Sequence, residues 1–412
     1  MKSICILVQN YYEVDIRVRR KAEALVAAGY SVDVFALASS YSKSKTYVLN
    51  GVNVFTLSLG KQRGSLLRYV YEYFSFFLWS FFKLSMRMGS RRYSVVDVNN
   101  LPDFLVFAGI YARLRGAKIV FDMHEITPEF YLSKYGIKPE SILIQCHKLV
   151  EWASCCFADH VITINEPIAQ LLENRGLRRS KTSIIMNAVD ESLFASVVDT
   201  PRTDTARDPE KFIMMYHGTL THIYGLDIAI EAFGKAQSEM PGAELWILGN
   251  GPKKNSLESL AQKLGLNAKV RFIGNVLPQE VPQWLKRCDI GVLATRKDVF
   301  LDLSFSNKLS EYIIMGKAVI SSRLKAIRYY FSDEAFAFFE PNHPDDLAKQ
   351  MVRLYRNSAL CSRLAEKARQ EYAPICWEIM KGRYLALIAD QLGTEVGIPK
   401  PSSAPVTSAS VS

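Results

Sequence analysis

The residue types best suited to bind a phosphorylated ligand lie together in residues 302–322, DLSFSNKLSEYIIMGKAVISS. Ser306, Asn307 and Lys308 come directly before a predicted helix. Free backbone N–H groups at a helix start, together with one ammonium group, form a good site for a diphosphate. Glu311, one turn into this helix, could accept hydrogen bonds from ribose hydroxyls. The competing interpretation is that Lys308 and Glu311 form a solvated i, i+3 pair on the helix surface.

Two glycine turns are candidates for close contact with the same phosphates. Gly218 follows the predicted strand FIMMYH, where a side chain would obstruct a phosphate, and Thr219 adds a hydroxyl donor. Gly249 and Gly251 flank Asn250 after another predicted strand, AELWIL. Each glycine could equally belong to an ordinary turn, especially Gly251, which precedes a proline.

A third candidate group follows the predicted strand KIVFDM in the first half of the chain. His124 ends this strand, and Glu125 and Glu129 come soon after it. A strand-end histidine is often structural, but one that faces a cleft could act on a reacting group. The two glutamates could bind or deprotonate a substrate hydroxyl. They could instead stabilise the start of the helix that begins near Pro128.

Residues 61–92 combine basic and aromatic side chains, with seven Lys or Arg and one acid around the block YFSFFLWSFF. A basic, aromatic helix is typical of an interfacial membrane anchor, since its cations meet anionic headgroups and its rings enter the acyl boundary. The alternative is a helix buried against a sheet, with only its basic flanks near lipid. The candidate membrane residues are Arg68, Phe76, Phe77, Trp79, Lys83, Arg87, Arg91 and Arg92.

These candidates need elements to position them, and the chain alternates short apolar strands with helical segments throughout. This alternation predicts an α/β protein of two doubly wound, Rossmann-like domains, whose ligands bind at the carboxyl ends of the strands. The predicted division is a first domain over residues 1–195, a linker over 196–210, a second domain over 211–372, a C-terminal helix over 373–392 that returns to the first domain, and a disordered tail over 393–412.

Composition narrows the function classes. The chain has 412 residues and a net charge of +10, which suits an anionic partner such as lipid headgroups, nucleic acid or phosphorylated ligands. No recognisable nucleic-acid-binding motif is present, which argues against that class. The seven cysteines have no metal-ligand spacing. No uncharged stretch reaches 18 residues, and the N-terminus lacks the pattern of a signal peptide, so the expectation is a cytoplasmic protein without a transmembrane helix.

The segment SNKLSEYIIMGKAVISS resembles the signature of the family-four retaining glycosyltransferases, in the branch with an NK-x-x-EY-x-x-x-G pattern. Similar segments follow in order along about nine-tenths of the chain, among them YHGTLTHIYGLDIAIEAF, AELWILGNGP and VVDVNNLPDFLVFAGIYARLRGAKIVFDMHEITPE. The resemblance implies the GT-B fold, in which two Rossmann-like domains face each other across a cleft.

The resemblance also implies an activity. The expected reaction is metal-independent transfer of a hexosyl group from a nucleotide-diphosphate sugar, without a cofactor, to a lipid-linked saccharide in bacterial surface or exopolysaccharide assembly. The expected location is peripheral, on the inner face of the cytoplasmic membrane. His124 would touch the donor sugar near the reacting centre, with Glu125 and Glu129 as further catalytic candidates. The implied donor-binding residues are Gly218, Thr219, Gly249, Gly251, Phe272, Gly274, Val276, Ser306, Asn307, Lys308 and Glu311.

The chain departs from the wider family in its donor site. Many members have two glutamates separated by seven residues, the second of which matches Glu311. The first would fall at Leu303, and Asp302 is one position off. Members commonly carry an Arg and a Lys in the turn that corresponds to residues 219–225, where this chain has neither. Lys308 would then be the main cation for the diphosphate, with His222 as a possible second. The alternative function is therefore a non-catalytic GT-B scaffold with a degenerate donor site.

Overall fold

A computed structural model describes residues 2–39, 45–61, 66–198 and 211–394, and it contains two sheets of mostly buried strands. Apolar side chains fill both faces of the strands, as expected for parallel sheets covered by helices on both sides. The first sheet has eight strands in the order β3-β4-β2-β1-β5-β6-β7-β8, and only β3 is antiparallel to its neighbour. The second has six parallel strands in the order β11-β10-β9-β12-β13-β14. The prediction of two doubly wound α/β domains is confirmed.

The strands of the first sheet are β1 (Ser3–Tyr11), β2 (Ser31–Leu37), β3 (Thr46–Leu49), β4 (Val52–Leu57), β5 (Val95–Asn99), β6 (Lys118–Met123), β7 (His160–Thr163) and β8 (Thr182–Ile184). The helices around them are α1 (Ile16–Ala27), α2 (Leu66–Met88), α3 (Ile110–Leu114), α4 (Thr127–Tyr135), α5 (Ile142–Phe157), α6 (Glu166–Asn174) and α7 (Ser192–Val198).

The strands of the second sheet are β9 (Phe212–His217), β10 (Ala243–Leu248), β11 (Val270–Gly274), β12 (Ile290–Leu293), β13 (Ala318–Ser322) and β14 (Ala337–Phe339). The helices around them are α8 (Leu226–Ala236), α9 (Lys254–Lys263), α10 (Val281–Arg287), α11 (Asn307–Ile314), α12 (Lys325–Tyr330), α13 (Pro344–Tyr355) and α14 (Ser358–Tyr372), and α15 (Trp377–Gln391) follows them.

The last helix, α15, contacts the first domain. The Tyr384 hydroxyl donates to Asp97 Oδ2 over 2.7 Å, and the ring of Tyr384 is fully buried. The backbone N–H of Met186 lies 3.2 Å from the sulfur of Met380. Through these contacts the apolar core of the second domain continues onto the back of the first sheet.

Helix α2 is a core helix on one side, which makes part of the predicted membrane surface wrong. Phe76 is fully buried, and its ring lies 5.7 Å from the Trp79 ring, which contacts Phe35 of β2. Arg87 pairs with the buried Asp33 over 2.5 Å and covers the Phe55 ring. Phe76 therefore cannot enter lipid, because the side chain of this residue is part of the folded core.

The remaining membrane candidates differ in their exposure and in their contacts with the first domain. Arg91 lies 3.6 Å from Asp33, and Lys83 lies over the Phe55 ring, so both side chains contact the first domain. Arg68 pairs with the buried Glu72, and Phe77 contacts the Phe104 ring. Arg92 is exposed.

Parts of three predicted segments lie outside the described residues. Helix α7 extends to Val198, whereas the predicted linker began at residue 196, and residues 199–210 of that linker lie outside the described part of the chain. Residues 395–412 of the predicted tail and residues 62–65 of the predicted membrane segment also lie outside it. Within the described residues, no helix is long and apolar enough to cross a membrane.

Candidate active site between the two domains

Polar side chains line a cavity of about 220 Å³ at the carboxyl ends of β1, β5 and β6. These three strands are neighbours in the first sheet. β1 leads into the start of α1, and β5 and β6 each lead into polar residues that line the cavity. This is where ligands bind in a doubly wound fold. Residues that line the cavity include Asn10, Asp15, Arg17, Asn100, His124 and Glu125.

His124 has one ring nitrogen bound to the protein and one available to a ligand. Its Nδ1 lies 3.3 Å from Asp122 Oδ1. Its Nε2 is buried and has no hydrogen-bond partner among the described residues. Glu125 Oε2 is also buried and also has no hydrogen-bond partner among these residues. Buried polar atoms normally have partners, so two such atoms beside one polar cavity are what a ligand-binding site requires.

A buried ion network holds the partner of His124. The ammonium of Lys21 on α1 donates to Asp122 Oδ2 and, over 3.1 Å, to Asp97 Oδ2. Burial would raise the pKa of Asp122, but Lys21 and then His124 hold it well below its usual range. Burial raises the pKa of Asp97, against the attraction of Lys21. Asp122 therefore stays ionised and can accept a hydrogen bond from the Nδ1–H group of His124.

Asn100 fixes the backbone that carries the two cleft residues. Its Oδ1 accepts from the backbone N–H groups of His124 and Glu125, at 3.1 and 3.3 Å. Its Nδ2 donates to Asp103 and to the Glu125 carbonyl oxygen. Asp103 also accepts from Thr127 Oγ1, and burial raises its pKa to about 6. The loop after β6 is thus held by side chains from the neighbouring strand.

Glu129 does not face this cavity, so its prediction as a catalytic residue is wrong. Its Oε1 accepts from Arg175 at the end of α6, and the same guanidinium bonds Glu151 of α5 over 2.6 Å. Glu125 precedes α4, whereas Glu129 lies in the first turn of this helix, which packs against α5. Burial raises the pKa of Glu151 to about 7, against the attraction of Arg175. Glu129 and Glu151 are structural carboxylates that share one arginine.

In the second domain, the two glycine turns contact each other. The N–H of Gly218 donates to the Leu248 carbonyl oxygen, and a Cβ on Gly249 would lie 1.9 Å from the Gly218 carbonyl oxygen. A Cβ on Gly251 would lie 2.5 Å from the Leu220 carbonyl oxygen. Gly249 and Gly251 are therefore required by this backbone contact, whatever further contact they make with a ligand.

Lys308 and Glu311 lie beside the Gly218 turn, with Lys308 in the first turn of α11 and Glu311 one turn into the helix. A Cβ on Gly218 would lie 2.3 Å from Cε of Lys308, so the missing side chain makes room for the lysine. The Lys308 ammonium lies 4.1 Å from the Tyr224 ring centroid. Glu311 Oε2 lies 2.5 Å from Nε2 of His217, the last residue of β9. Ser306 precedes α11 as its N-cap residue, and Asn307 begins the helix.

The other predicted donor residues lie around the same strand ends. Phe272 lies within β11, and Gly274 ends this strand with a positive φ of 85°. The side chain of Val276 is partly buried against the core. His222 lies in the turn after β9, and its carbonyl oxygen accepts from Arg296 Nε over 3.1 Å. Arg296 also bonds Asp227, so its guanidinium holds the turn to α8.

The two sites are joined by direct contacts between the domains. Ser133 of α4 donates to Asp298 Oδ2 over 2.6 Å, and the ring of Phe130 lies 5.5 Å from that of Phe300. Asn165 Nδ2 donates to the Leu303 carbonyl oxygen over 2.8 Å. Helix α4 begins just after His124, and residues 298–303 lead directly into Ser306. The cavity and the α11 turn therefore face one cleft.

Sequence reasoning missed His217 and Lys21. Each lies in a segment that it assigned correctly as strand or helix, and the partners of each are distant in the chain. A search for a charged residue on the inner face of α1 could have found Lys21. Among the described residues, no group of three His, Cys, Asp or Glu side chains could hold a metal ion.

The fold and the cleft define the class of protein. A sucrose-phosphate synthase from Thermosynechococcus elongatus is similar over 95% of this chain and 100% of its own, with a TM-score of 0.76 and 18% identity. The Anabaena protein HepE, solved in complex with UDP and glucose, matches over 95% of this chain and 100% of its own, with a TM-score of 0.69 and 16% identity. The architecture is the GT-B fold of glycosyltransferases.

Family models match both domains. Residues 14–193 match Glycosyltransferase Family 4, and residues 198–371 match Glycosyl transferases group 1. The chain belongs to the glycosyltransferases. A lipopolysaccharide core biosynthesis glycosyltransferase from Rhizobium meliloti is 25% identical over 233 residues, which are 56% of this chain and 64% of that protein. The chain spans about half to two thirds of the length of the first curated relatives that it matches.

Proposed function

We propose that this protein is a retaining glycosyltransferase of the NK-x-x-EY branch, which moves a hexosyl group from a nucleotide-diphosphate sugar to a saccharide in polysaccharide assembly. The observation that carries the proposal is the juxtaposition across one cleft of the Lys308–Glu311 turn and the cavity that holds His124. The first offers an ammonium, a carboxylate and helix N–H groups to a nucleotide diphosphate. The second offers unpaired polar atoms to a sugar.

In the proposed reaction, the acceptor oxygen forms a bond to the anomeric carbon on the same face of the sugar from which the diphosphate departs, as the bond from that carbon to the diphosphate breaks. Lys308 balances the charge that develops on the leaving diphosphate. The acceptor proton goes to Glu125 or to a leaving phosphate oxygen. His124 Nε2 contacts the donor sugar, and Asp122 fixes the orientation of the ring. The proposed reaction uses neither a metal ion nor a cofactor.

Two relatives support the choice of ligands. HepE was solved with UDP and glucose, and with UDP-glucose. The Rhizobium relative takes part in lipopolysaccharide core biosynthesis. A nucleotide-diphosphate hexose is therefore the proposed donor, and a lipid-linked saccharide is the proposed acceptor.

The outer face of α2, which does not include Phe76, is the proposed membrane-binding surface. Leu67, Phe74, Phe82 and Met86 are 82%, 54%, 60% and 75% exposed and recur at helical spacing along one face. The exposed Arg92 follows the helix, and the chain carries a net charge of +10. An apolar stripe beside cations suits the interface of an anionic bilayer. We infer peripheral binding to the inner face of the cytoplasmic membrane.

One observation favours the alternative of a non-catalytic scaffold, namely that residues 219–225 contain no Arg or Lys. A thermal-shift assay with UDP, ADP and GDP separates the two functions. A transferase should be stabilised by one of these nucleotides, since a ligand at one hundred times its Kd adds about 2.7 kcal/mol to the free energy of unfolding. An unchanged melting temperature with all three nucleotides would refute the proposed transferase and support the scaffold.

A further inference from the structure

His217 stands between the strand and the helix that build the donor turn. It is the last residue of β9, directly before Gly218, and it is almost fully buried. Its Nδ1 lies 3.0 Å from the Tyr312 hydroxyl, and its Nε2 lies 2.5 Å from Glu311 Oε2. Both partners are on α11. The ring thus connects the end of one strand to the carboxylate that the proposed function assigns to the ribose.

Counting protons along this chain of contacts determines what lies between His217 and Glu311. The Tyr312 hydroxyl has one proton, and it donates this proton to the Met215 carbonyl oxygen over 2.7 Å. The Tyr312 oxygen must then accept from His217 Nδ1–H. The remaining nitrogen, Nε2, faces a carboxylate oxygen at 2.5 Å. Two acceptors cannot approach so closely without a proton, so the pair contains one.

Few other ionisable groups surround this pair. Lys308 precedes Glu311 on α11, and its ammonium lies against the Tyr224 ring. Tyr216, beside His217 in β9, donates its hydroxyl to the Thr219 carbonyl oxygen. Burial raises the pKa of Tyr312 well above its usual value, so this tyrosine keeps its proton over the physiological range. Lys308 and Tyr216 contact other groups, so the His217 ring is the described side chain that holds Glu311 Oε2.

We propose that His217 is a positioning residue of the donor site, and that its shared proton holds Glu311 in the orientation that accepts the ribose hydroxyls of a nucleoside diphosphate. The proposal rests on the proposed function. With the proton present, Oε2 is held by the ring and Oε1 is left for the ligand. Without the imidazole ring, Oε2 loses this bond, and Glu311 can rotate away from the ligand. Nucleotide affinity should therefore fall when the ring is removed.

Calorimetric titration with UDP tests this, with ADP and GDP as parallel probes. His217→Ala should bind UDP about tenfold or more weakly than the wild type, because the carboxylate is no longer held. In the Glu311→Ala background, the same change should alter UDP affinity by less than about twofold, since no carboxylate remains to be positioned. His217→Gln, whose amide N–H can donate to Glu311, should restore most of the lost affinity.

Two other outcomes would contradict the proposal. If His217→Ala weakens UDP binding equally with and without Glu311, or does not weaken it in the wild type, the positioning role of His217 is overturned and the proposed function stays intact. If no nucleotide binds the wild type, the proposed function fails, and the positioning role fails with it.

Discussion

The proposed diphosphate site depends on single side chains. The turn that follows β9 contains no Arg or Lys, so Lys308 is the cation nearest to Gly218 among the described residues that we assign to the donor site. The ammonium lies against Tyr224 and Tyr216 and forms no salt bridge with any residue that the structure describes. It can therefore turn to a ligand without breaking a salt bridge.

Lys308→Ala should weaken UDP binding by about 1.5–3 kcal/mol, the contribution of a charge-assisted hydrogen bond. Folding should hardly change, because the lysine packs little apolar surface. Calorimetry gives the affinity, and Lys349→Ala, an exposed lysine on α13, serves as the control. Equal UDP affinities for the two variants would remove Lys308 from the donor site.

His124→Ala should lower kcat more than it raises the KM for the donor, because the histidine is proposed to contact the sugar near the reacting centre. Nucleotide binding, made by the other domain, should persist. Glu129→Gln is the matched control, since this carboxylate bonds Arg175 and should affect the melting temperature rather than kcat. Steady-state kinetics that show a full kcat for His124→Ala would return this histidine to a structural role.

The buried Glu151 predicts a pH effect on stability. Its pKa is about 7 in the folded protein and near 4.5 in the unfolded chain, so the folded state retains a proton that the unfolded state has lost. This contribution to stability is complete below pH 4.5 and disappears as pH rises to 7. Glu151→Gln removes the titration, so the stability of the variant relative to wild type should increase by about 3 kcal/mol between pH 4 and pH 8.

Denaturant unfolding at several pH values measures this difference. Glu258→Gln, at a half-exposed position on α9, should run parallel to the wild type. A constant difference between Glu151→Gln and wild type would show that burial does not shift the titration of this carboxyl.

At the scale of elements, α2 shows both what a sequence can predict and where it fails. The sequence correctly indicated a helix rich in aromatic and basic residues. It could not tell the buried from the exposed face, because Phe74 and Phe82 point outwards while Phe76 points into the core. Aromatic and apolar side chains occur on both faces of this helix, so the pattern alone does not identify the buried face. Only the position of β2 beneath the helix determines which rings are covered.

The double change Phe74→Ser and Phe82→Ser should reduce sedimentation with phosphatidylglycerol vesicles by about tenfold or more, because each ring that enters lipid contributes apolar burial. The fold should be unaffected, since both rings are exposed. Val48→Ser, an exposed apolar position on β3, is the control. Equal binding of both variants, or no preference of the wild type for anionic over neutral vesicles, would contradict the membrane surface.

The site shows a similar division between what local sequence determines and what it does not. The sequence indicated Lys308, Glu311 and His124, because the residue type and the end of a strand or start of a helix are local properties. It placed Glu129 wrongly, because the direction of a side chain on α4 depends on Arg175, 46 residues later. It missed His217, whose partner Glu311 is 94 residues away. Contacts of this kind exist only once the sheets have formed.

For the whole molecule, the arrangement of the domains brings the two halves of the site together. Ser133 and Asp298 hydrogen-bond between the loop before α11 and the helix after His124. Behind the cleft, α15 returns to the first domain, and Tyr384 bonds Asp97, which shares Lys21 with Asp122. The partner of the cleft histidine is therefore anchored partly by the last helix of the chain. Each domain supplies one half of a site that needs both.

The central claim is transfer of a sugar with its anomeric configuration retained, and NMR spectroscopy of nucleotide-sugar turnover tests it most directly. The protein would be incubated with UDP-glucose, then with other nucleotide-diphosphate hexoses, in the presence of saccharide acceptors. The account predicts release of the nucleotide diphosphate from one donor, an α-linked product from an α-linked donor, and loss of both signals in the double variant Lys308→Ala, His124→Ala. A product of inverted configuration, or turnover that survives in the double variant, would contradict it.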